Sequence, residues 1–406
     1  MRRRVVVTGM GIWSCIGQDL QTVTESLKQG RSGIVFDPKR IEYGLHSGLV
    51  GNVPRPDLKP LLPRKFRATM SEDSEYAYLV ARQAFEQAGM SDEYLKQNEV
   101  GIIFGNDVNN SSMKEHFTEM EMSHSTTNLL PWSLLKEETS SVTMNLATIF
   151  HLKGINLTIG NMSTSGLAAI GLGAWLIREG MQDSILVGGV SNVSLDVAAA
   201  YDSTGGLSLS TNPSNASKPF DTKSDGTIFS DGGAALLIEE YEHALARGAN
   251  IIAEIIGYGS TNGGETDVSH LVNEGIIKAI YKALNDAGIT AEEIDYVNAA
   301  ALSAQYEDVQ EAIALSHFFE NTHTCISSTE STTGHECFMA GASETIYTIL
   351  MMNNSFVAPN INIKQVIEEA KNLNIITKTT TKKINIALNN SIGGGNVFGS
   401  LIIKKL

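Results

Sequence analysis

A cluster of hydroxyl side chains stands directly before the most apolar segment of the chain. Met162-Ser163-Thr164-Ser165 precedes Gly166–Ile177, a run without a charged residue that reads GLAAIGLGAWLI. At the start of a helix, a serine or threonine hydroxyl ordinarily accepts a hydrogen bond from a free backbone amide. Such a hydroxyl acts as a nucleophile only if an adjacent base removes its proton. The segment therefore predicts helix capping first, and nucleophilic chemistry only with a partner elsewhere in the chain.

The three cysteines form neither a metal-binding nor a disulfide pattern. Cys15, Cys325 and Cys337 are an odd number, and their spacing matches no metal-ligand motif. This usage suits a reducing compartment. We expect no metal, no other cofactor and no disulfide.

The composition is that of a globular protein. The 406 residues are 42% hydrophobic and 18% charged, which allows a large core in one or two domains. No apolar run approaches the roughly 20 residues that cross a bilayer, and the basic Met1–Arg4 runs into Val5–Gly9 without a signal-peptide hydrophobic region. A net charge of −15 argues against nucleic acid as a partner. We expect a cytoplasmic protein that binds neither membranes nor nucleic acid.

Short β-branched runs alternate with helical patterns along the chain, which predicts an α/β protein. Ser74–Ala88 and Val272–Ala287 carry apolar residues at helical spacing, and each is followed by a glycine and, shortly after, by a strand. The similarity between these two helix–glycine–strand segments indicates a duplicated unit with a boundary near Gly248. The sequence therefore predicts two similar halves, 1–248 and 249–406. The predicted strands are Val5–Thr8, Val100–Phe104, Leu157–Ile159, Ile185–Val187, Ala234–Ile238, Ile251–Ile256, Tyr296–Ala299 and Ile384–Leu388.

Five groups of residues carry longer motifs: Val5–Gly11, Lys218–Asp221, Asp225-Gly226 with Asp231–Ala234, Ser327–Thr329 with Thr333–His335, and Asn390–Gly395. Together they resemble the motifs of the β-ketoacyl synthases, the condensing enzymes of fatty acid and polyketide synthesis. The resemblance spans the whole chain and implies a thiolase-like fold of two similar α/β halves in five layers, assembled as dimers. It also implies a cysteine that takes an acyl group from an acyl carrier protein, two histidines that act on a malonyl unit, and an ordering lysine and glutamate.

Three positions that this resemblance marks as functional carry other residues here. The nucleophilic cysteine falls on Ser163, whose hydroxyl is a far weaker acid than a thiol. The first histidine falls on Ala300, which can neither donate a hydrogen bond nor move a proton. The gating phenylalanine falls on Gly394, which leaves no side chain to open or close the pocket.

A fourth departure places two carboxylates where the family has an ion pair. The lysine falls on Glu330, while its partner Glu344 is kept. Because buried like charges disfavour joint ionisation, we expect either that one carboxyl is protonated or that Glu330 has turned to another partner. The second histidine is kept as His335, which is interpreted first as a hydrogen-bonded structural residue and alternatively as a general base for Ser163.

With no catalytic set intact, the chain resembles a chain-length factor, the ketosynthase β subunit of type II polyketide or aryl polyene systems. The expected partners are an active ketosynthase, in a heterodimer, an acyl carrier protein and the growing acyl chain. Trp132, Leu134 and Leu135 are candidates for the floor of the partner's tunnel, or else ordinary core.

A basic cluster in this acidic chain is a second candidate contact region. Arg64, Lys65 and Arg67 would guide docking of an acidic carrier protein, or else form a solvated loop.

Two other functions stay open. One is a Ser163-dependent acyltransferase, hydrolase or malonyl decarboxylase, which requires Ser163 within hydrogen-bond reach of His335. The other is a homodimeric protein that binds acyl chains or a carrier protein without a ketosynthase partner.

Overall fold

The computed structural model describes residues 2–108, 110–127, 129, 132–264 and 271–406. Within this part of the chain, no helix is long and apolar enough to cross a membrane. The strands are β1 (Val5–Trp13), β2 (Val35–Phe36), β3 (Leu49–Val50), β4 (Gly101–Gly105), β5 (Asn156–Ile159), β6 (Ser184–Ser191), β7 (Gly232–Glu240), β8 (Ala253–Asn262), β9 (Tyr296–Asn298), β10 (Cys325–Ser327), β11 (Phe356–Val357), β12 (Thr380–Thr381), β13 (Ile386–Gly393) and β14 (Val397–Lys404).

The helices connect these strands and cover the sheet. They are α1 (Leu20–Gln29), α2 (Pro38–Tyr43), α3 (Arg64–Arg67), α4 (Glu72–Ala88), α5 (Asp92–Gln97), α6 (Asn110–Ser123), α7 (Ser133–Glu137), α8 (Ser141–Phe150), α9 (Ser165–Arg178), α10 (Leu195–Asp202), α11 (Tyr241–Ala246), α12 (Asn273–Ala287), α13 (Gln305–Phe319), α14 (Glu330–Thr333) and α15 (Ala340–Asn354). Short 3-10 turns lie at Pro213–Asn215, Ala291–Glu293, Cys337–Met339 and Glu368–Ala370.

The large sheet repeats one strand order twice. Its ten strands run β10-β9-β13-β14-β8-β1-β7-β6-β4-β5, and the two halves meet where β1 pairs antiparallel with β8. In the first half, β5, β4 and β6 are parallel to one another, and β7 and then β1 are added antiparallel. The second half repeats this arrangement: β10, β9 and β13 are parallel, and β14 and then β8 are added antiparallel. The prediction of an α/β protein with two similar halves is confirmed.

Helices form the other layers. The neighbouring helices α9 and α15 pack between the two halves of the sheet, in a core that both halves share. On the outer faces, α4 and α8 cover the first half, and α12 and α13 cover the second. The helix–sheet–helix–sheet–helix order matches the predicted five layers.

The two predicted cover helices have the expected ends. Ser71 caps α4 by accepting a hydrogen bond from the Ser74 amide. Both helices end at a glycine in the left-handed region, Gly89 with φ 69° and Gly288 with φ 68°. The apolar segment forms α9, which is largely buried, although Trp175 on it is 42% exposed.

Candidate active site

Close backbone contacts place the start of α9 at the centre of the molecule. A Cβ added to Gly105, the last residue of β4, would lie 2.5 Å from the carbonyl carbon of Ser165. Added to Gly189 on β6, it would lie 2.6 Å from the carbonyl oxygen of Phe338. Since no side chain fits between these main chains, the glycines bring both sheet strands against the first turn of α9 and against the segment that follows His335.

The turn before α9 is held rigidly from two sides. Met162 has φ 49°, in the left-handed region, and its amide donates to Asp107 Oδ2 at 3.0 Å. The Ser391 hydroxyl on β13 donates to the Ser163 carbonyl at 3.2 Å. The capping expectation is wrong for the residue at the helix start, because Thr164 makes no side-chain capping bond. The strained turn and these two hydrogen bonds instead direct the Ser163 hydroxyl toward the interior.

Backbone pairing fixes the position of His335. Its amide donates to the Ile228 carbonyl at 2.6 Å, and its carbonyl accepts from the Ser230 amide at 2.9 Å. The preceding Gly334 has φ 69°, and a Cβ there would lie 2.6 Å from the Ile228 carbonyl oxygen. The glycine thus allows the chain to turn sharply between α14 and His335.

Ser163, His335 and Glu330 form one hydrogen-bonded chain. Ser163 Oγ lies 2.7 Å from His335 Nε2, and His335 Nδ1 lies 2.8 Å from Glu330 Oε1. The histidine and the glutamate are buried, at 5% and 2% exposure. A hydroxyl, an imidazole and a carboxylate in this order are the elements of a serine triad. The condition set for a Ser163-dependent enzyme is therefore met by the geometry.

Burial disfavours charge on both members of the inner pair. It raises the pKa of the Glu330 carboxyl well above its usual range, and nearby carboxyls raise it further. Burial also lowers the pKa of the His335 imidazole to about 4. At moderate pH a protonated Glu330 and a neutral imidazole are therefore favoured over an ion pair, so that the pair as a whole is uncharged. Loss of one proton from this pair, with the remaining proton on Nδ1, leaves a carboxylate that accepts from Nδ1–H and frees Nε2 to accept the Ser163 proton.

Glu344 on α15 is a second buried carboxyl of the predicted pair of glutamates. Neither of its carboxyl oxygens has a hydrogen-bond partner among the described residues. Burial raises its pKa well above the usual range, and ionisation of a neighbouring carboxyl such as Glu330 would raise it further. Of the two outcomes predicted for these carboxyls, the structure has Glu330 turned to His335, and burial in addition favours a protonated Glu344.

A cavity of about 240 Å³ opens onto Ser163 and His335. Gly394 is in its wall, and a side chain there would first meet the flexible end of Met162, at 3.1 Å from Cε. Ala300 is buried but is not part of the wall, and its amide donates to Glu311. The remaining described wall residues are Tyr201, Thr204, Gly206, Leu207, Thr227, Phe229, Leu271, Leu302, Ala304, Glu307, Cys337, Ile392, Gly393, Gly395 and Asn396.

The other candidate residues lie away from this cavity. Trp132 is half-buried beside α7, whereas Leu134 and Leu135 are 62% and 41% exposed, so these two leucines are not core in the single chain. Leu135 instead borders a surface groove together with Lys65 of the basic cluster. A tunnel-floor role for these residues stays a prediction.

The basic cluster forms a short helix at the surface. Arg64 and Lys65 are exposed on α3, whereas the Arg67 guanidinium donates to the Leu62 carbonyl. Two of the three cations therefore remain accessible to a partner, and their role in docking stays a prediction.

Comparison with known proteins gives matches over the whole chain. The β-ketoacyl synthase N-terminal domain matches residues 2–244 and the C-terminal domain matches residues 252–364. The chain is 36% identical to 3-oxoacyl-[acyl-carrier-protein] synthase 1 of Escherichia coli K12, over 100% of its own length and 99% of the relative's. Two solved structures cover 100% of both chains: a β-ketoacyl synthase from Burkholderia phymatum STM815, with TM-score 0.94 and 30% identity, and the ishigamide ketosynthase/chain length factor, with TM-score 0.91 and 25% identity.

These relatives overturn the expectation of a non-catalytic chain-length factor. Curated relatives at 35–36% identity over nearly their full length are catalytic 3-oxoacyl-[acyl-carrier-protein] synthases. The expectation counted each replaced position as a loss of chemistry. It missed that Glu330 can supply the carboxyl of a different constellation, and it missed Asp107 and Ser391, which hold the turn at Ser163. The one signal of that arrangement in the sequence was that Glu330 and His335 are close in the chain and that a glycine, Gly334, which allows a sharp turn, lies between them.

Proposed function

This chain belongs to the β-ketoacyl synthase family, and we propose that it transfers acyl groups from acyl carrier protein thioesters through an acyl-Ser163 intermediate. The observation that carries the proposal is the hydrogen-bonded chain from Ser163 Oγ through His335 to Glu330. Acyl transfer from a carrier protein to the enzyme is a step that the family resemblance implies, and the relatives are named 3-oxoacyl-[acyl-carrier-protein] synthases. Here an oxygen nucleophile with its own base takes the place of a thiolate.

The acylation step uses each member of the chain once. His335 Nε2 accepts the Ser163 proton while Oγ attacks the thioester carbonyl carbon. The tetrahedral intermediate then collapses, the C–S bond breaks, and the imidazolium returns the proton to the departing thiolate. Glu330 holds the imidazole by Nδ1 and stabilises the positive charge that forms on it.

The helix start contributes to the same step. Ser163 lies two residues before α9, whose N-terminus carries free amides and a partial positive charge. Such a site favours negative charge developing on the thioester oxygen. The acyl-enzyme would then pass its acyl group to an acceptor nucleophile or to water.

Trapping the intermediate tests the proposal. The protein is incubated with butyryl thioesters of acyl carrier protein and of N-acetylcysteamine, and the adduct is located by intact-mass and peptide mass spectrometry. We expect one butyryl group on Ser163, lost in Ser163→Ala and strongly slowed in His335→Ala, with both variants checked for folding by thermal unfolding. No adduct under any condition, or an adduct that persists in Ser163→Ala, would refute acyl transfer at this residue.

Condensation is the second candidate, and the full-length 36% identity to a 3-oxoacyl-[acyl-carrier-protein] synthase favours it. Against it stands Ala300, because this side chain can neither donate a hydrogen bond nor stabilise an enolate. Adding malonyl carrier protein to the acyl-enzyme separates the two functions. Release of carbon dioxide with a 3-oxoacyl product supports condensation, and transfer to another acceptor or hydrolysis supports the first proposal.

A further inference from the structure

Glu336, the residue after His335, carries a buried carboxyl that has no part in the proposed reaction steps. The residue is 1% exposed. Three hydroxyls surround its carboxyl: Ser14 Oγ lies 2.7 Å from Oε1, Tyr347 Oη lies 2.8 Å from Oε1 and 3.0 Å from Oε2, and Ser343 Oγ lies 2.5 Å from Oε2. Because each hydroxyl can donate one hydrogen bond, the carboxyl has the donors that an ionised carboxylate requires.

The elements around this carboxyl also favour its ionised form. Glu336 directly precedes the turn Cys337–Met339, which leads into α15, and the free amides at such a helix start carry a partial positive charge. Ser343 and Tyr347 reach the carboxyl from α15, and Ser14 reaches it from the end of β1. Burial raises the pKa of Glu336, and the three hydroxyls oppose this by lowering it.

The neighbouring titratable groups favour their neutral forms. Burial raises the pKa of Cys15, which lies close after β1, and of Tyr347 and Glu344 on α15, and the charge of Glu336 adds to each increase. The carboxyls of this group differ in their donors, because neither Glu330 Oε2 nor either oxygen of Glu344 has a described hydrogen-bond partner. Of the three glutamates, Glu336 is therefore the one best able to hold a negative charge.

A charge on Glu336 acts on both members of the Glu330–His335 pair. Burial is the main reason that the pKa of Glu330 is raised, and Glu336 is the next. Burial lowers the pKa of His335 to about 4, and Glu336 opposes that decrease. The two effects have one cause, since a negative charge disfavours a second carboxylate nearby and favours an imidazolium.

We infer that Glu336 is ionised in the folded protein and is a positioning residue whose charge sets the pH at which the Glu330–His335 pair releases a proton. The kinetic consequence rests on the proposed acylation of Ser163. Because the charge opposes formation of the Glu330 carboxylate, it moves that release to higher pH. Because it also favours the imidazolium that forms during acylation, it speeds the reaction once the proton has been released.

Replacing Glu336 by glutamine tests both effects, because glutamine keeps the shape of the side chain but not its charge. The rate of acylation of Ser163 by a butyryl thioester is measured between pH 5 and pH 9. We expect Glu336→Gln to lower the midpoint of the pH profile by about one unit and the rate at the high-pH plateau by about tenfold. Loss of packing alone would lower the rate without moving the midpoint to lower pH.

Tyr347→Phe is the second variant, since it removes one donor and makes ionisation of Glu336 less favourable. It should move the midpoint in the same direction. Tyr296→Phe is the matched control, because Tyr296 is also fully buried but its hydroxyl contacts Ser327, so its midpoint should equal that of the wild type. If thermal unfolding shows that Glu336→Gln does not fold, Tyr347→Phe decides alone.

The ¹⁵N shifts of the His335 imidazole, followed by NMR against pH without an acyl donor, separate this inference from the proposed function. The midpoint of their titration should fall by about one pH unit in Glu336→Gln. A midpoint that is unchanged or raised in both Glu336→Gln and Tyr347→Phe overturns the inference. If the midpoint falls as expected but no butyryl adduct forms on the wild type, the proposed function is refuted and the role of the Glu336 charge stands.

Discussion

Replacing Glu330 by glutamine removes the charge from the inner member of the hydrogen-bonded chain while keeping its shape. Glu330 Oε1 lies 2.8 Å from His335 Nδ1, and both side chains are buried. With roughly 4 Å between charge centres and an effective dielectric constant of about 20, the carboxylate stabilises the imidazolium by about 4 kcal/mol. Losing that term slows acylation of Ser163 by about 10³-fold.

The acylation rate is measured by quenched-flow mass spectrometry with a butyryl thioester between pH 5 and pH 9. Because burial raises the pKa of Glu330, the wild-type rate should rise with pH as the Glu330–His335 pair loses one of its two protons. In Glu330→Gln the slower rate should lose this dependence. The reason is that His335, with a pKa near 4, is already neutral throughout the range.

The matched control is Glu344→Gln, which changes a neighbouring buried carboxyl in the same way. Since neither oxygen of Glu344 has a described hydrogen-bond partner, this variant should acylate within about threefold of the wild type. A Glu330→Gln rate within threefold of wild type, with an unchanged pH profile, would show that Glu330 takes no part in proton transfer.

Three other predictions concern stability and docking. Because burial raises the pKa of folded Glu344 above the unfolded value of about 4.3, stability is lost as pH rises between the two values. The free energy of unfolding of Glu344→Gln should therefore exceed that of the wild type by about 1.4 kcal/mol for each pH unit above 4.3, until the folded pKa is reached. If the difference in free energy measured by urea unfolding does not grow between pH 5 and pH 7, the prediction is wrong. Replacing both Arg64 and Lys65 by glutamate should slow acylation of Ser163 by acyl carrier protein thioesters about tenfold at low salt. Acylation by N-acetylcysteamine thioesters should keep its rate. An equal effect on both acyl donors would count against carrier-protein docking at α3. Gly105→Ala should lower the free energy of unfolding by about 3 kcal/mol, because its Cβ would meet the main chain of α9. Gly206→Ala is the control: its Cβ would meet only a side-chain oxygen at 3.4 Å, so it should lower the free energy of unfolding by less than about 1 kcal/mol. Both values are measured by urea unfolding.

Local patterns predict most of the fold because helix periodicity, capping residues and β-branched runs act over a few residues. Ser74–Ala88 and Val272–Ala287 were predicted to within two residues of α4 and α12. The prediction omitted β10 and β14 of the large sheet, and also the two-residue strands β2, β3, β11 and β12. β10 has only three residues, Cys325–Ser327, and β14 begins directly after the glycine-rich turn, so neither pattern stood out from its neighbours.

The site is harder to predict because its contacts join distant parts of the chain. The hydrogen bond from the Met162 amide to Asp107 spans 55 residues, and the bond between Ser163 and His335 spans 172. Family resemblance supplied both members of the second pair. It supplied nothing for Asp107, whose value depends on the strained conformation at Met162 that only the folded chain shows.

Glu330 shows why replaced residues need a geometric test before a site is considered inactive. In the family pattern this position carries a lysine that pairs with Glu344. Considered by itself, the change to glutamate replaces that ion pair by two carboxyls whose charges would repel each other. The chain between Glu330 and His335 is one short helix followed by Gly334, and the sharp turn at that glycine brings the two side chains within 2.8 Å. An ammonium at position 330 would compete for the imidazole nitrogen, whereas a carboxylate accepts from it and directs its other nitrogen toward Ser163. The exchange of lysine for glutamate and of cysteine for serine is thus consistent as a pair, since a hydroxyl needs the stronger base that this carboxylate provides.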